Sequence, residues 1–577
     1  MRHLTLPVLN DKFQSEPMQI PLPNSALDCI VVGHNDLDFD QYIKAQKAQS
    51  KISGAYFDAK VNSVRLHGKR VTYTNLLNHA MQQSTGRKST LSAFEVPHLG
   101  GLHLTHHLRK RKFSVELINF FNKDKDRFAR LLGMSPNAVA ITSTYYIDPM
   151  PIIEVVRFIR KHSPRTRIII GGPYIHNLCA GSDLAAQNYI LQLIGADIYI
   201  TDPQGLQSLT SAVTALRDPK NLSMDVIPNL VITTDNKNFL RTPKISEEYS
   251  INEGAIDWSH FKEDIFSLPI YMRTAMSCPF ACSFCNFPAM SGEHKLADIE
   301  IIEREMQQLK AEGVRYLVFI DDTFNVPLPR FKRLLKMMIK NKFDFKWLSF
   351  FRCSNADDET FDLMAESGCI AVFLGIESGD QGILNNMKKF ARTDKYIEGI
   401  AKLRERGIIT NASFIVGFPG ETQQTIENTI AFIQEAKPTF YNLQLYYHDT
   451  RTPVHEDADK YKIQNVGYSW THMSMTWQEA AAAMEHIHKS ITHSLPLTTY
   501  GFSIWSLPYL LSQGVTLDQF QRFAEIARGM LIRSLDDRDI DFNAELAALS
   551  AVFALGGALD ADSAQVQSDS VDWTVAQ

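Results

Sequence analysis

Between Ile270 and Tyr446, short apolar runs alternate six times with helical stretches, and nothing else in the chain constrains its fold so tightly. The runs are YMRTAMS, YLVFIDD, KWLSFFR, IAVFLGI, NASFIVG and FYNLQLY, and the stretch 299–312 is typical of what separates them. Runs that are apolar on both faces belong to parallel strands covered by helices. Six in succession predict an open, partial (β/α)6 barrel. A similar alternation precedes it, with LDCIVVG, KFSVELINF, AVAITST, TRIIIGG and ADIYITD between Leu27 and Asp202 and helical stretches at 101–110, 123–132 and 150–162. This predicts a doubly wound, Rossmann-like sheet whose ligands sit at the carboxyl ends of its strands.

About sixty residues, 35–97, separate the first strand from the first helix of that earlier series. Residues 204–267 read as one helix, a hairpin turning at Asp235-Asn236-Lys237, and a linker. Past His455 the pattern is mainly helical, and the Ala-, Ser- and Asp-rich stretch after Asp560 predicts a disordered tail. The expected class is therefore α/β. The expected domains are 1–245 (Rossmann-like domain with extension and linker), 246–455 (partial barrel) and 456–577 (helical region).

A chain of 577 residues has room for two to four cores, and at 45 % hydrophobic and 21 % charged residues its composition is that of an ordinary folded protein. A net charge of −5 leaves no basic footprint for nucleic acid or an anionic membrane. The uncharged apolar run from Leu546 to Leu559 is too short to span a bilayer, and the N-terminus lacks the apolar core of a signal peptide. These features predict a cytoplasmic protein with small-molecule or protein partners.

Of the seven cysteines, Cys29, Cys179, Cys353 and Cys369 stand alone in or beside apolar stretches and are expected to be buried core thiols. The other three crowd into Cys278-Pro-Phe-Ala-Cys282-Ser-Phe-Cys285, just after the first barrel strand. Three thiolates on one loop can hold three irons of a [4Fe–4S] cube and leave the fourth open. A structural zinc site completed by His294 is the alternative from the donor set alone.

The CxxxCxΦC arrangement, with Phe284 before the last cysteine, resembles the signature of the radical S-adenosylmethionine (SAM) superfamily. Downstream matches follow in order. Asp321 and Asp322 close the second strand where the family places groups against the SAM amino end, with Asp-Asp in place of the commoner Gly-Glu. Gly375-Ile-Glu377-Ser378 resembles the ribose and amino contact. The segment from Ser413 through Ile415, Gly417 and Gly420 to Glu421 resembles the adenine contact GxIxGxxE, with Ser413 for the first glycine and the glutamate one place late. Read without the resemblance, the two aspartates are loop caps, Glu377 is a solvated strand end, and the glycines serve a tight turn.

The earlier domain resembles the cobalamin domains that carry D-x-H-x-x-G, S-x-L and G-G. His98 to Gly101 fits the first element, Ser143-Thr-Tyr145 the second with Tyr145 replacing Leu, and Gly171-Gly172 the third. Ser143 is expected to reach the nucleotide tail, and the glycine pair lets the backbone approach it. Val96 stands where the supporting aspartate belongs, so the group that would fix a metal-binding tautomer of His98 is missing. His98 is either a lower ligand of cobalt or a helix-start residue, the latter because Pro97-His98-Leu99-Gly100-Gly101-Leu102 is also similar to a P-x-L-G-L helix start in corrinoid radical SAM proteins.

The resemblance spans about residues 27–455 and implies a cobalamin-dependent radical SAM enzyme of the class B methyltransferase type. Its implied cofactors are a [4Fe–4S] cluster, SAM and methylcobalamin. A low-potential donor of flavodoxin or ferredoxin type would supply electrons. Reductive cleavage of SAM would give a 5′-deoxyadenosyl radical, and methyl transfer to an unactivated carbon or phosphorus of a secondary metabolite or peptide would follow. The alternatives are a non-methylating corrinoid enzyme that cyclises, contracts a ring or hydroxylates, and a corrinoid-binding sensor. Substrate contacts are expected around Tyr446, Tyr447, His448, Arg451, Tyr468, Trp470 and His472, with Tyr446 and His448 the candidates for chemistry. The same residues also read as a packed cap.

Overall fold

The computed structural model of the protein describes residues 27–554 apart from 89, 94, 182, 221, 262–264, 537 and 539, so the tail expected after Asp560 lies outside the described residues. Two compact units emerge among the described residues, one from 27–38 with 97–260, the other from 39–96 with 261–554. This division departs from the expected boundaries at 245/246 and 455/456.

In the first unit, strands β1 (Cys29–His34), β2 (Val115–Phe120), β3 (Ala138–Thr142), β4 (Arg167–Gly171) and β5 (Ile198–Ile200) are parallel in the order β2-β1-β3-β4-β5. All five expected strands are present because each is an apolar run that buries both faces, one against Phe121, Ile152 and Val156, the other against Leu108, Leu209 and Val213. The expected hairpin adds β6 (Leu230–Thr233) and β7 (Phe239–Arg241) antiparallel at the edge. Its turn forms because the Asp235 carboxylate accepts the N–H groups of Lys237 at 2.9 Å and Asn238 at 2.8 Å. Strand order reverses between β1 and β3, which opens a crevice at their carboxyl ends.

The second unit contains β8 (Ile270–Met272), β9 (Tyr316–Phe319), β10 (Lys346–Phe350), β11 (Cys369–Glu377), β12 (Ile409–Val416), β13 (Phe440–Leu445) and β14 (Leu495–Pro496), parallel and in chain order. The six expected strands form. The seventh is two residues long, paired to Phe440 and Tyr441, and too short to leave a pattern in the sequence.

Side chains alternate between the lumen and the helix layer. Val318, Leu348, Ala371, Ile409 and Phe440 share one cluster with Tyr73, Leu76, Phe502, Phe520 and Phe523. That cluster explains the departure from the expected domains. The helix Tyr73–Thr85 is capped by Thr72 and Asn75 and turns Tyr73, Leu76, Leu77 and Ala80 onto one buried face. The insertion and the C-terminal helices thus complete the floor of the barrel. Asp58 ties the insertion to the last long strand, accepting the Leu445 N–H at 3.0 Å and the Tyr500 hydroxyl at 3.1 Å.

Candidate active site

The cysteine loop leaves the barrel after β8. Cys282 is buried, Cys278 and Cys285 are half-buried, and the other four cysteines are buried core thiols as expected. Cys278 Sγ lies 3.1 Å from Thr323 Oγ1, and Cys285 Sγ accepts the Phe287 N–H at 3.4 Å. Burial raises the Cys285 thiol to about 11, against the Phe287 N–H and with help from Cys282 and Cys278. Among the described residues no three His, Cys, Asp or Glu side chains lie close enough together to hold a single ion. Three thiols without a fourth side chain suit a polynuclear cluster with an open iron.

Two cations press on this loop. The Arg352 guanidinium lies 3.8 Å from the centre of the Phe280 ring, and Lys389 Nζ lies 5.4 Å from that of Phe284. Burial raises the Cys282 thiol while Lys389 and Arg352 pull it down. Neither cation was singled out from the sequence, because each lies outside any motif.

Asp321 is buried, and its two oxygens accept the N–H of Thr274 at 2.6 Å and the Thr274 hydroxyl. Arg330 donates to the carbonyls of Thr274 at 2.9 Å and Ala297 at 2.8 Å. Asp321 therefore latches the approach to the cysteine loop and has no oxygen turned to a ligand. Asp322 differs. Solvent reaches it, yet surrounding protein pushes its carboxyl up to about 7, with Arg273 opposing and Asp321 adding to the rise.

Glu377, at a left-handed φ of 73° at the end of β11, pairs with Lys389 at 2.9 Å. Burial alone would lower the Lys389 ammonium, but Glu377 overrides it and raises it. Ser378 is buried and caps its own turn by accepting the Asp380 N–H at 3.1 Å. Ile415 is half-buried beside Gln444 on the neighbouring strand. Gly417 has both backbone groups occupied, its N–H by the Glu421 carboxyl and its carbonyl by His472 Nε2–H at 3.1 Å. Its φ of 94° and a Cβ position 2.5 Å from the Trp470 ring leave no room for a larger residue.

The segment expected to be a lid or a cap is packed. Trp470 Nε1–H donates to the Tyr446 carbonyl at 2.6 Å, and His472 stacks on Trp470 with centroids 5.1 Å apart. His448 donates through Nδ1 to the Asn465 carbonyl at 2.7 Å and accepts from His455 at 3.2 Å. Arg451 is paired with Asp449 at 2.5 Å, and Tyr468 meets the exposed Tyr447 edge-on at 5.1 Å. The Tyr446 hydroxyl is buried without a hydrogen-bond partner.

In the first unit, the crevice between β1 and β3 holds His98, Ser143 and Tyr145. Ser143 is fully buried, and its N–H donates to the Gly171 carbonyl at 2.8 Å. A Cβ on Gly172, at φ 105°, would come within 3.2 Å of the Ser143 N and Oγ. Gly172 is thus required for the close approach to Ser143, while a Cβ on Gly171 would come within 3.2 Å of Ile200 Cβ at the end of β5. Gly101 packs against Gly33, where a Cβ would come within 3.2 Å of the Gly33 Cα. Tyr145 is 55 % exposed and Ile147 66 %, an apolar rim on the loop after Ser143.

His98 caps the helix Leu99–Lys110, with Nδ1 accepting the Gly101 N–H at 3.0 Å. Burial lowers its pKa to about 4, so the ring is neutral near pH 7. With the Nδ1 lone pair engaged, the proton sits on Nε2, which is buried without a partner. His34, stacked at 6.1 Å on His98 and at 5.1 Å on Tyr146, is a residue of this crevice that sequence reasoning missed.

Within this fold, residues 272–433 match the radical SAM superfamily. The uncharacterized methyltransferase PH0819 of Pyrococcus horikoshii is 29 % identical over 28 % of this chain and 36 % of its own length. The anaerobic magnesium-protoporphyrin IX monomethyl ester cyclase of Rubrivivax gelatinosus is 24 % identical over 42 % of this chain and 46 % of its own. The chain thus spans less than half the length of these curated relatives. Over more of its length it shares the fold of the radical SAM methyltransferase TsrM of Kitasatospora setae, with a TM-score of 0.58 and 17 % identity over 75 % of this chain and 97 % of that one. Among the described residues no helix is long and apolar enough to cross a membrane.

Proposed function

We propose that the chain is a cobalamin-dependent radical SAM methyltransferase acting on an unactivated carbon or phosphorus of a small molecule or peptide, with electrons from a low-potential donor. The observation that carries this reading is the presence in one chain of a three-thiol loop at a barrel mouth and a glycine-lined, apolar-rimmed crevice at a Rossmann-type switch point. The TsrM structures contain cobalamin and a [4Fe–4S] cluster in one case, tryptophan and a SAM analogue in another. The Rubrivivax cyclase supports the non-methylating reading as an alternative.

Cys278, Cys282 and Cys285 would hold the cluster. Asp322 would meet the amino end of SAM, and Phe284 and Ile415 would flank it. Asp321, Glu377, Ser378 and Gly417 would support these residues from behind, since their polar groups are engaged within the chain. Ser143, Tyr145, Gly171 and Gly172 would receive the corrinoid, with Gly101 letting the first helix pack close. When bound, the cluster supplies the electron that cleaves SAM and the corrinoid carries the methyl group.

His98 is proposed as a helix cap that presents an Nε2–H donor to the corrinoid, not as a ligand to cobalt. In the reconstituted cob(II)alamin state, electron paramagnetic resonance should show no nitrogen splitting from this histidine, and His98→Ala should leave the spectrum unchanged. The same variant should lose about 1 kcal/mol of stability through the missing cap. A nitrogen splitting that disappears in His98→Ala would reverse the assignment.

The test of the whole reading is anaerobic reconstitution with hydroxocobalamin, followed by iron, sulfide and cobalt analysis of one sample. About four irons and one cobalt per chain are expected. Iron without cobalt removes the corrinoid half, and zinc in place of iron removes the other. With both cofactors present, a product lighter than the substrate plus one CH2 favours the cyclase-like alternative.

A further inference from the structure

We infer that the barrel lumen contains a subsite for a neutral ring bearing an N–H or O–H donor, recognised by Asn411. The group is the substrate if the proposed function holds, and the inference rests on that reading only for this identity.

The floor of the lumen is apolar. Above Val318, Leu348, Ala371 and Ile409 comes a layer of Phe350, Phe373, Asn411 and Phe440, adjacent in register across four strands. Trp505 closes this layer from the side of the C-terminal helices, 4.6 Å from Phe350 and 5.6 Å from Phe373 between ring centres. Asn411 is the one polar side chain in that layer. Its Nδ2–H donates to Asn442 Oδ1 at 2.8 Å, and Asn442 Nδ2–H donates to Ser413 Oγ at 3.1 Å. The remaining acceptor, Asn411 Oδ1, has no hydrogen-bond partner although the residue is only 1 % exposed.

A buried amide costs stability unless its groups are bonded, and an apolar residue of the same size would fill this layer without that cost. Folding therefore gives no reason for a three-residue polar rung with one end open. A ligand donor does. The face that carries the rung reaches solvent at its carboxyl end, because Gln444, two residues beyond Asn442 on the strand next to the sheet edge, is exposed. The ligand's chemistry follows from the walls. Phe350, Phe373, Phe440 and Trp505 offer ring faces and edges, which suits an aromatic or otherwise flat ring. Among the described residues, the nearest charges in register, Glu377 and Lys389 beside Gly375, neutralise each other. A charged group at the depth of Asn411 would have no counterion, so the group that enters is neutral. Ser413 replaces the glycine of the family pattern, and here its hydroxyl anchors the rung.

Indole and indene test this directly, since they share shape and differ by N–H against CH2. Calorimetry on the full-length chain should find indole bound about ten-fold more tightly, the worth of one buried hydrogen bond. Asn411→Leu should erase the preference while retaining indene binding, and Asn411→Ala provides the same comparison if the leucine variant does not fold. Equal affinities, no binding of either probe, or a preference that survives both substitutions overturns the subsite. Iron content measured on the same samples separates the two readings. A preference that depends on Asn411 in a chain that takes up no cluster sinks the radical SAM function and leaves the subsite; a cluster-bearing chain without the preference does the reverse.

Discussion

Cys278→Ala should abolish the brown 4Fe–4S absorption and release of 5′-deoxyadenosine together, while thermal unfolding of the apo chain changes by less than about 1 kcal/mol. The asymmetry follows from what the thiol touches. In the apo protein Cys278 is half-buried and meets only Thr323 Oγ1 within hydrogen-bonding distance, so the fold loses little with it. A cluster held by three thiolates on one loop has no spare ligand, and two cannot retain it. Cys282→Ala and Cys285→Ala should lose the cluster equally. Absorption at 4Fe–4S wavelengths persisting in any of the three would contradict the ligand assignment.

Glu421→Gln should flatten the alkaline side of the stability profile. Burial pushes the Glu421 carboxyl up to about 8, against the N–H groups of Gly417 and Phe418 and with a smaller push from Asp380. In the unfolded chain it titrates near its ordinary value of 4.5. The folded state therefore holds the extra proton between those values. Its contribution is complete below pH 4.5 and drains away as pH rises through about 8. The wild type should lose about 2–4 kcal/mol on this account between pH 5 and pH 9. Glutamine keeps an oxygen to accept the Gly417 N–H and cannot ionise, so the variant should melt near the wild type at pH 5 and well above it at pH 9. Parallel profiles would mean that Glu421 does not titrate in this range. Because the Gly417 turn carries Trp470 and His472 on its other side, SAM-dependent turnover should fall over the same window in the wild type alone.

Much of the site was legible because it is local. The three thiols lie within eight residues, and the ends of β9, β11 and β12 were recognisable from runs such as YLVFIDD and NASFIVG. What each matching residue does was less legible. Asp321 and Asp322 are neighbours in sequence, yet one is buried and spent on Thr274 while solvent reaches the other, because successive residues at a strand end turn to opposite sides. Gly417 fits an adenine-binding pattern, but Glu421 and His472 occupy its polar groups. Lys389 and Arg352 carry charge to the cysteine loop from positions that no spacing rule marks.

The sequence by itself determined the long parallel strands of the two sheets and the loop that bears the thiols. Parallel strands buried on both faces must be written as continuous apolar runs, and cluster ligands as contiguous chemistry. Only the tertiary structure decided that residues 39–96 and the C-terminal helices complete the barrel floor. Contacts such as Asp58 to Leu445 and Tyr73 to Phe523 join positions hundreds of residues apart, and each half is an unremarkable polar or apolar residue until the other is beside it. The tautomer of His98 and the open acceptor of Asn411 belong to the same class. Both depend on which partner is absent after packing, and that is a property of three-dimensional surroundings alone.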